Sequence, residues 1–330
     1  MSESRSIQGA HFIDDESPFV ASEPTALIIG NFDGLHLGHQ AVLAHALGEA
    51  RAGSLVPAVL TFDPHPAGVL GRGVPPCLTA LDRKVELLLR AGIAHVFVRR
   101  FDLSLAGTSP ERFARELLAE TLRARVVIVG ANFRFGERRA GDFATLARLG
   151  AELGFRAQAA TIAQDLEGPY SSTRVRTALR EGRVEEAAAL LGRPHAFSGE
   201  VVHGAARGRL LGFPTANLAR IQEFLPANGV YAVVVDRLDG GARALAPGIM
   251  NIGLRPTVTS VEPVRHVEVN LLDFEGDLYG ATLRVHLAHR VRDEQKFANL
   301  SELRAQIARD ADSARRLLEA TSPPEAGPFG

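Results

Sequence analysis

The chain has no tryptophan, one cysteine (Cys77) and two lysines, Lys84 and Lys296. Each scarcity excludes something. A single cysteine can form neither an intrachain disulfide nor a multi-cysteine zinc site, so a cytoplasmic protein is expected. Neither lysine stands in a G-x-x-x-x-G-K-[ST] string, which excludes a P-loop NTPase. No G-x-G-x-x-G follows a candidate strand, so the dinucleotide fingerprint is missing too. No apolar run approaches the ~20 residues of a membrane span, and the polar, acidic N-terminus lacks the basic and apolar regions of a signal peptide. There is no basic excess either: 37 Lys+Arg against 38 Asp+Glu give a formal charge of −1, which disfavours a broad nucleic-acid-binding surface. What is present is the ordinary make-up of a globular protein, 46% hydrophobic and 23% charged, in 330 residues, a length that favours two domains.

Two grammars follow one another. Short apolar runs at Ala26–Gly30, Val56–Phe62, His95–Arg99, Arg125–Gly130 and Arg156–Ile162 read as buried parallel strands. Helical patterns lie between them, one opened by Ser109-Pro110-Glu111 as cap, first-turn proline and early acid. That alternation predicts a parallel sheet with helices on both faces. Two short helices follow, Ser172–Glu181 and Val184–Leu191, and then the turn-rich Gly192–Gly199. Beyond it lie strand-like runs at Ala196–His203, Val230–Asp236, Ala244–Ile252, His266–Phe274 and Thr282–Arg290, then a final helix from Ser301 to about Ala320. Strands without helices between them predict a small β-barrel. The expected organisation is therefore a flexible extension (1–22), an α/β domain (23–191), a β-barrel domain with a terminal helix (192–320) and a disordered tail (321–330).

The strongest local signal is GNFDGLHLGHQAVL, Gly30 to Leu43, where the first strand passes into the first helix. Gly30, Gly34 and Gly38 permit close approach of a ligand to the backbone. The helix N-terminus favours an anion there. His36 and His39, three apart, share a face of the entering turn and suit phosphate oxygens. Three more segments end strands on the same expected rim: TFDPHP, GANFRFGERRAGD and YSSTRVR. They add aromatic surface (Phe62, Phe133, Phe135), polar donors (His65, Asn132, Ser172, Thr173) and arginines (Arg174, Arg176), a set that suits an aromatic ring system carrying phosphates.

The barrel region has a second set. HGAARGRLLGFPTANL, from His203 to Leu218, places small residues and arginines before Pro214-Thr215-Ala216-Asn217. The Thr215 hydroxyl and Asn217 amide oxygen are hard donors suited to Mg²⁺ carried by phosphates, and Gly204, Gly208 and Gly212 let a loop fold over those phosphates. Further on, Val267, Val269 and Leu271 share one strand face, and His266, Glu268 and Asn270 the other.

The strings G-N-F-D-G-x-H-x-G-H, T-F-D-P-H-P, N-F-R-F-G and S-S-T-R-V-R, in this order, resemble the adenylyltransferase module of the bifunctional riboflavin kinase/FMN adenylyltransferase (FAD synthetase) family of prokaryotes. The strings G-F-P-T-A-N, N-I-G-x-R-P-T, E-V-N-L-L-D-F, D-L-Y-G and R-x-E-x-K-F resemble its riboflavin kinase module. The resemblance spans about Thr25 to Ala314. It implies a Rossmann-like nucleotidyltransferase domain and an antiparallel kinase barrel. The implied activities are phosphorylation of riboflavin to FMN and adenylylation of FMN to FAD, with Mg²⁺-ATP and flavins as the small-molecule partners and neither nucleic acid nor membrane involved. The sequence leaves the oligomeric state open.

By the same resemblance, His36 and His39 bind ATP phosphates, and Asn31 and Asp33 shape the loop around nucleotide and flavin, with Gly30, Phe32, Gly38, Phe62, His65, Asn132 and Arg176 beside them. Ser172, Thr173 and Arg174 fit the pyrophosphate side, with Arg174 in the catalytic set. In the kinase, Thr215 and Asn217 are the Mg-ATP ligands and Glu268 the base that activates the ribityl hydroxyl. Gly204, Arg207, Gly208, Gly212 and Pro214 then form the nucleotide loop, with Arg292 and Phe297 near the flavin. Two positions depart from the pattern: Asn132 stands where many members carry Asp, and Asp63 where many carry Glu. A kinase with an inactive adenylyltransferase domain and a non-catalytic flavin binder are the alternative readings. His36 and His39 speak against the first, Glu268 with Thr215 and Asn217 against the second. A tRNA synthetase fragment also uses H-x-G-H, but its lysine-bearing loop is impossible here.

Overall fold

A computed structural model describes residues 7–14, 19–130, 132–204, 213–255 and 264–320. The expected sites at Arg207, Gly208 and Gly212, and the tail 321–330, lie outside the described residues. Contacts divide the chain into two compact units. The first runs to Pro75 and resumes over Leu81–Ser171; the second takes Pro76–Ala80 and the chain from Ser172 onward.

In the first unit β1 (Ala10–Ile13), β2 (Thr25–Ile29), β3 (Val56–Asp63), β4 (His95–Arg100), β5 (Ala124–Gly130) and β6 (Arg156–Ala160) form one sheet in the order β1-β4-β3-β2-β5-β6, with every pairing parallel. The unbroken apolar runs have a direct cause: alternate residues enter different cores. Leu27, Ile29, Leu60, Val127 and Val129 pack into one, and Ala26, Ile28, Val59, Val126 and Ile128 into the other. The helices α1 (Leu37–Gly53), α2 (Leu81–Arg90), α3 (Pro110–Arg112, continuing as the wider-turned Phe113–Thr121) and α4 (Phe143–Leu153) connect the strands. Ser109 caps α3, its Oγ accepting from the Arg112 N–H at 3.2 Å.

The N-terminal extension, expected to be loose, supplies an edge strand. β1 pairs with β4 from Ala10↔Val96 to Ile13↔Arg99, and Arg99 Nη1 donates to the Ile13 carbonyl at 3.1 Å. Four residues are too few to show a period; the ladder on β4 decides their conformation.

The second unit is a closed antiparallel barrel. Its strands are β7 (Ala196–Val202), β8 (Ala216–Ala219), β9 (Gly229–Arg237), β10 (Arg243–Arg255), β11 (Val264–Leu271) and β12 (Thr282–Arg292), ordered β8-β11-β10-β9-β12-β7. Helix α7 (Leu300–Ala320) lays Ala311 and Ala314 over Val230, Ala232, Ile249 and Leu272. Two helices precede the barrel, α5 (Ser172–Arg180) and α6 (Val184–Leu191). By sequence they close the α/β domain; by contact they belong to the barrel unit. The Ala227 N–H donates to the Leu179 carbonyl at 2.9 Å, Arg290 Nη1 to the Glu181 carbonyl at 3.0 Å and the Arg290 N–H to Glu185 at 3.1 Å. The strap Pro76–Ala80 joins the same unit, its Cys77 carbonyl accepting from the Phe224 N–H at 2.6 Å.

Phe224 is held from a second side. His195 is 3% exposed and its Nε2–H donates to the Phe224 carbonyl at 2.8 Å. Burial, with a smaller contribution from Arg193 and His286, pushes the imidazole down to about 4 against the opposing pull of the Phe224 carbonyl. Unfolded histidine titrates near 6.5. Between these values the unfolded chain holds more protons, so stability falls as pH drops through that window, by about 3 kcal/mol, and no further below it. Urea unfolding of parent and His195→Gln at pH 7, 5.5 and 4 should show the parent losing more stability than the variant over this range. Parallel pH profiles would mean that His195 does not titrate with unfolding.

Candidate active sites

In the first unit the C-terminal end of β2 leads straight into α1, and the loop between them gathers the expected residues. His36 is the N-cap, 6% exposed, its Nδ1 accepting from the His39 N–H at 3.4 Å. The two imidazoles stack, with centroids 3.8 Å apart and planes 21° apart. Phe32, 3% exposed, lies beneath, its ring 5.2 Å from that of His39. Gly38 is required by this packing: a Cβ there would meet the His36 ring at 3.0 Å and the Tyr170 side chain at 3.1 Å. Gly30 plays the same part against Phe32, at 3.1 Å. Asp33 is half-buried in the same loop.

The neighbouring strand ends close the rim. The side chains of Asn31 and His65 approach to 3.2 Å, tying the loop after β2 to the one after β3, and His65 Nδ1 accepts from the Ala67 N–H at 3.2 Å. Phe62 stands edge-on to Phe101 at 5.7 Å. After β5, Asn132 is exposed and Phe133 stacks on Phe135 at 5.4 Å. This is a polar, aromatic-walled rim with a helix N-terminus and two imidazoles, a surface whose chemistry suits phosphates and a flat ring system. Ser172, Thr173, Arg174 and Arg176 open α5, which groups with the second unit. Arg176 is 9% exposed and its Nε donates to the Pro76 carbonyl at 2.8 Å, so its guanidinium serves the strap.

In the barrel the register builds the second site. Glu268 on β11 is directly opposite Asn217 on β8 and Asn251 on β10, so a carboxylate is flanked by two amides on one face. Gly204 lets the chain pass close to Asn217; a Cβ there would lie 2.2 Å from the amide nitrogen. Asn270, two residues on from Glu268 and 7% exposed, donates from Nδ2 to the Pro214 carbonyl at 2.7 Å, fixing the turn that presents Thr215. Two cavities adjoin this turn. One of about 580 Å³ is lined by Pro214, Thr215 and the segment Phe274–Tyr279. The other, of about 520 Å³, lies between Pro214, Asn270, Phe274 and the α7 residues Ala308, Ala311 and Arg315.

Three features of these cavities were not assigned by sequence. Phe274–Tyr279 walls the first one; Phe274 ends the E-V-N-L-L-D-F string and Asp277–Tyr279 lie in D-L-Y-G, but no role was assigned to them, and Tyr279 stacks on His203 at 3.9 Å. Asn270 stood in the E-V-N-L-L-D-F string without an assigned role, and the α7 residues carried no motif. Conversely, neither Arg292 nor Phe297 lines either cavity. Arg292 is spent on Asp310, with Nε at 2.9 Å and Nη2 at 2.7 Å from Oδ2, while Gln306 Nε2 donates to Oδ1 at 2.7 Å. Phe297 lies under the same guanidinium, 5.8 Å from ring centre to Cζ.

A family model described as FAD synthetase matches residues 20–174, and one described as riboflavin kinase matches 191–318. A bifunctional riboflavin kinase/FMN adenylyltransferase of Escherichia coli (strain K12) is 41% identical over 318 residues, covering 96% of this chain and 99% of the relative. The chain belongs to the bifunctional riboflavin kinase/FMN adenylyltransferase family. Its counterpart in Pseudomonas fluorescens is 39% identical over 290 residues, covering 88% of this chain and 91% of the relative. Among solved structures, a crystal structure described as a macrolide-efflux protein from Streptococcus pneumoniae superposes with a TM-score of 0.82 at 29% identity, covering 93% of this chain and 99% of the other. Among the described residues here, no helix is long and apolar enough to cross a membrane.

The Arg292–Asp310 pair is nearly dry, with side-chain exposures of 20% and 4%. Removing one partner of such a pair strands the other and costs about 3–5 kcal/mol in fully buried cases. Asp310→Ala should therefore lower folding stability by about 2–4 kcal/mol, read as a lower urea midpoint, because α7 loses its anchor on β12. A change below ~0.5 kcal/mol, the scale of an exposed pair, would refute the clasp.

Proposed function

We propose that this protein makes FMN and then FAD. The barrel unit transfers the γ-phosphoryl group of ATP to riboflavin, and the α/β unit transfers AMP from a second ATP to the FMN phosphate, releasing pyrophosphate. One observation carries each half. For the adenylyltransferase it is the stacked His36–His39 pair at the N-terminus of α1, on the carboxyl edge of a parallel sheet. For the kinase it is Glu268 set opposite Asn217 in the ladder; neither lines the two cavities that share Pro214, the first of which Thr215 helps to line. A cytoplasmic location goes with this reading, since both steps draw on ATP.

Neither step requires a covalent enzyme intermediate. In the kinase, Glu268 takes the proton of the ribityl hydroxyl as the new P–O bond forms. The Thr215 hydroxyl and the Asn217 amide oxygen are hard donors that fit Mg²⁺, and the chain passes at Gly204 close enough to leave no room for a side chain over Asn217. When bound there with ATP, Mg²⁺ neutralises phosphate charge. In the adenylyltransferase, the FMN phosphate attacks the α-phosphorus of ATP. His36, His39 and the backbone N–H groups of α1 hydrogen-bond the phosphates, stabilising charge as the phosphoanhydride breaks, while Ser172, Thr173 and Arg174 serve the departing pyrophosphate.

Incubation with riboflavin, ATP and Mg²⁺, followed by chromatography of the flavins, should yield FMN and FAD. FMN alone would reduce the protein to a kinase, and no conversion to a flavin binder. His36→Ala and His39→Ala should each lower FAD formation by about 10²–10³, the usual scale for a group that stabilises developing charge, with FMN formation nearly unchanged; equal loss of both activities would point to folding. Glu268→Gln keeps the size but removes the base, so riboflavin phosphorylation should fall by about 10²–10⁴ while supplied FMN is still adenylylated. Activity within a few-fold of the parent would make Glu268 a surface residue.

A further inference from the structure

Backbone strain in the first unit concentrates on two loops, one carrying the His36–His39 motif and one whose arginines have no assigned role. Among the described residues, eight non-glycine residues have positive φ, a region L-residues avoid. Four of the eight sit on two loops that leave adjacent strands at the same edge of the sheet: Phe32 (50°) and Leu35 (42°) after β2, and Arg138 (52°) and Arg139 (62°) after β5. The first pair frames the His36–His39 loop. The second pair is consecutive and consists of two exposed arginines.

This loop is rigidly founded. Phe135 and Gly141 exchange both backbone hydrogen bonds, at 3.0 and 2.9 Å. The Glu137 N–H donates to the Thr108 carbonyl at 2.7 Å. Gly136, itself at φ 72°, presses so near Pro110 that a Cβ would lie 2.7 Å from its ring. At the far end Asp142 caps α4, accepting from the Thr145 N–H at 2.9 Å. The charges are partly matched: Arg134 lies 3.3 Å from Asp142, and Arg138 3.7 Å from Glu137. The Arg139 N–H donates to the Gly136 carbonyl at 2.9 Å, while its guanidinium makes no hydrogen bond or ion pair among the described residues. Glycine or asparagine would relieve the left-handed backbone at both positions; arginine keeps the strain and adds charge. Strain held by a well-anchored frame at the rim of a site marks function.

We propose that Arg139, with Arg138 beside it, is an anion-docking element that receives a phosphate of the adenylylation substrates, either the flavin phosphate or the ATP triphosphate. This rests on the adenylyltransferase reading. A guanidinium pre-set on a stiff loop loses little freedom on binding a phosphate, and its bonds are charge-assisted.

The test uses the full-length protein with Arg139→Gly, Arg139→Lys and the double variant Arg138→Gly/Arg139→Gly. Glycine removes charge and strain together, so both glycine variants should melt at or above the parent's Tm. Their kcat/KM for FAD formation should fall about tenfold, with riboflavin phosphorylation unchanged. Arg139→Lys keeps the charge and should retain most of the activity. A rise confined to the KM for FMN assigns the flavin phosphate, and one confined to the KM for ATP the triphosphate. The inference is overturned if the glycine variants form FAD at the parental rate, or if Arg139→Lys is as impaired as Arg139→Gly, which would leave charge without a role. A parent that forms FMN but no FAD overturns the adenylyltransferase reading first, and the inference falls with it.

Discussion

A carboxylate on a strand has two places to go, and the register of β11 decides between them for Glu268. Val267 and Val269 on either side of it are 3% and 0% exposed while Glu268 is half-buried, so the barrel interior takes the valines and Glu268 faces the other way. A slip of one residue would bury the carboxylate and expose the valines. The closed order of six strands leaves no free edge along which to slip. This register sets Glu268 opposite Asn217 and Asn251, and it places Asn270 to donate to the carbonyl of Pro214, a residue that lines both cavities.

The α/β unit solves a similar problem with strand direction. All its pairings are parallel, so the loops after β2, β3 and β5 emerge along one edge, and the first turn of α1 stands among them. Both faces of the sheet are filled with aliphatic side chains, which makes a stiff base for loops that carry glycine, histidine and left-handed residues. The two units bring unrelated architectures to the two activities of the family, riboflavin kinase and FMN adenylyltransferase.

Residues of a family string also hold the fold together. Arg292 belongs to R-x-E-x-K-F, yet its guanidinium is engaged by Asp310, eighteen positions away on α7. Arg176 belongs to S-S-T-R-V-R, yet its Nε holds the Pro76 carbonyl. Arginine serves such places because its planar fork satisfies carboxylate and carbonyl acceptors while its charge persists on burial. The clasp at Asp310 also bears on the site, since α7 supplies Ala308, Ala311 and Arg315 to the cavity wall.

Much of this was legible in the order of the residues, because it is written in local periodicity. The apolar runs from Ala26 to Gly130 announced parallel strands, the alternation Val267–Leu271 announced a strand with one wet face, and His36 and His39 announced a helix entrance fit for phosphate. Other features had no local signature. β1 exists because β4 offers it a ladder. α5 and α6 lie against the barrel because Glu181, Glu185 and Leu179 find partners on Arg290 and Ala227, far away in the chain. The wall Phe274–Tyr279, the Arg292–Asp310 clasp and the left-handed Arg138–Arg139 pair likewise depend on contacts between distant segments. Periodicity and capping are properties of neighbours in sequence, so the chain alone determined the elements and the chemistry they carry. Burial, ion pairing and backbone strain are properties of neighbours in space, and those only the tertiary structure decided.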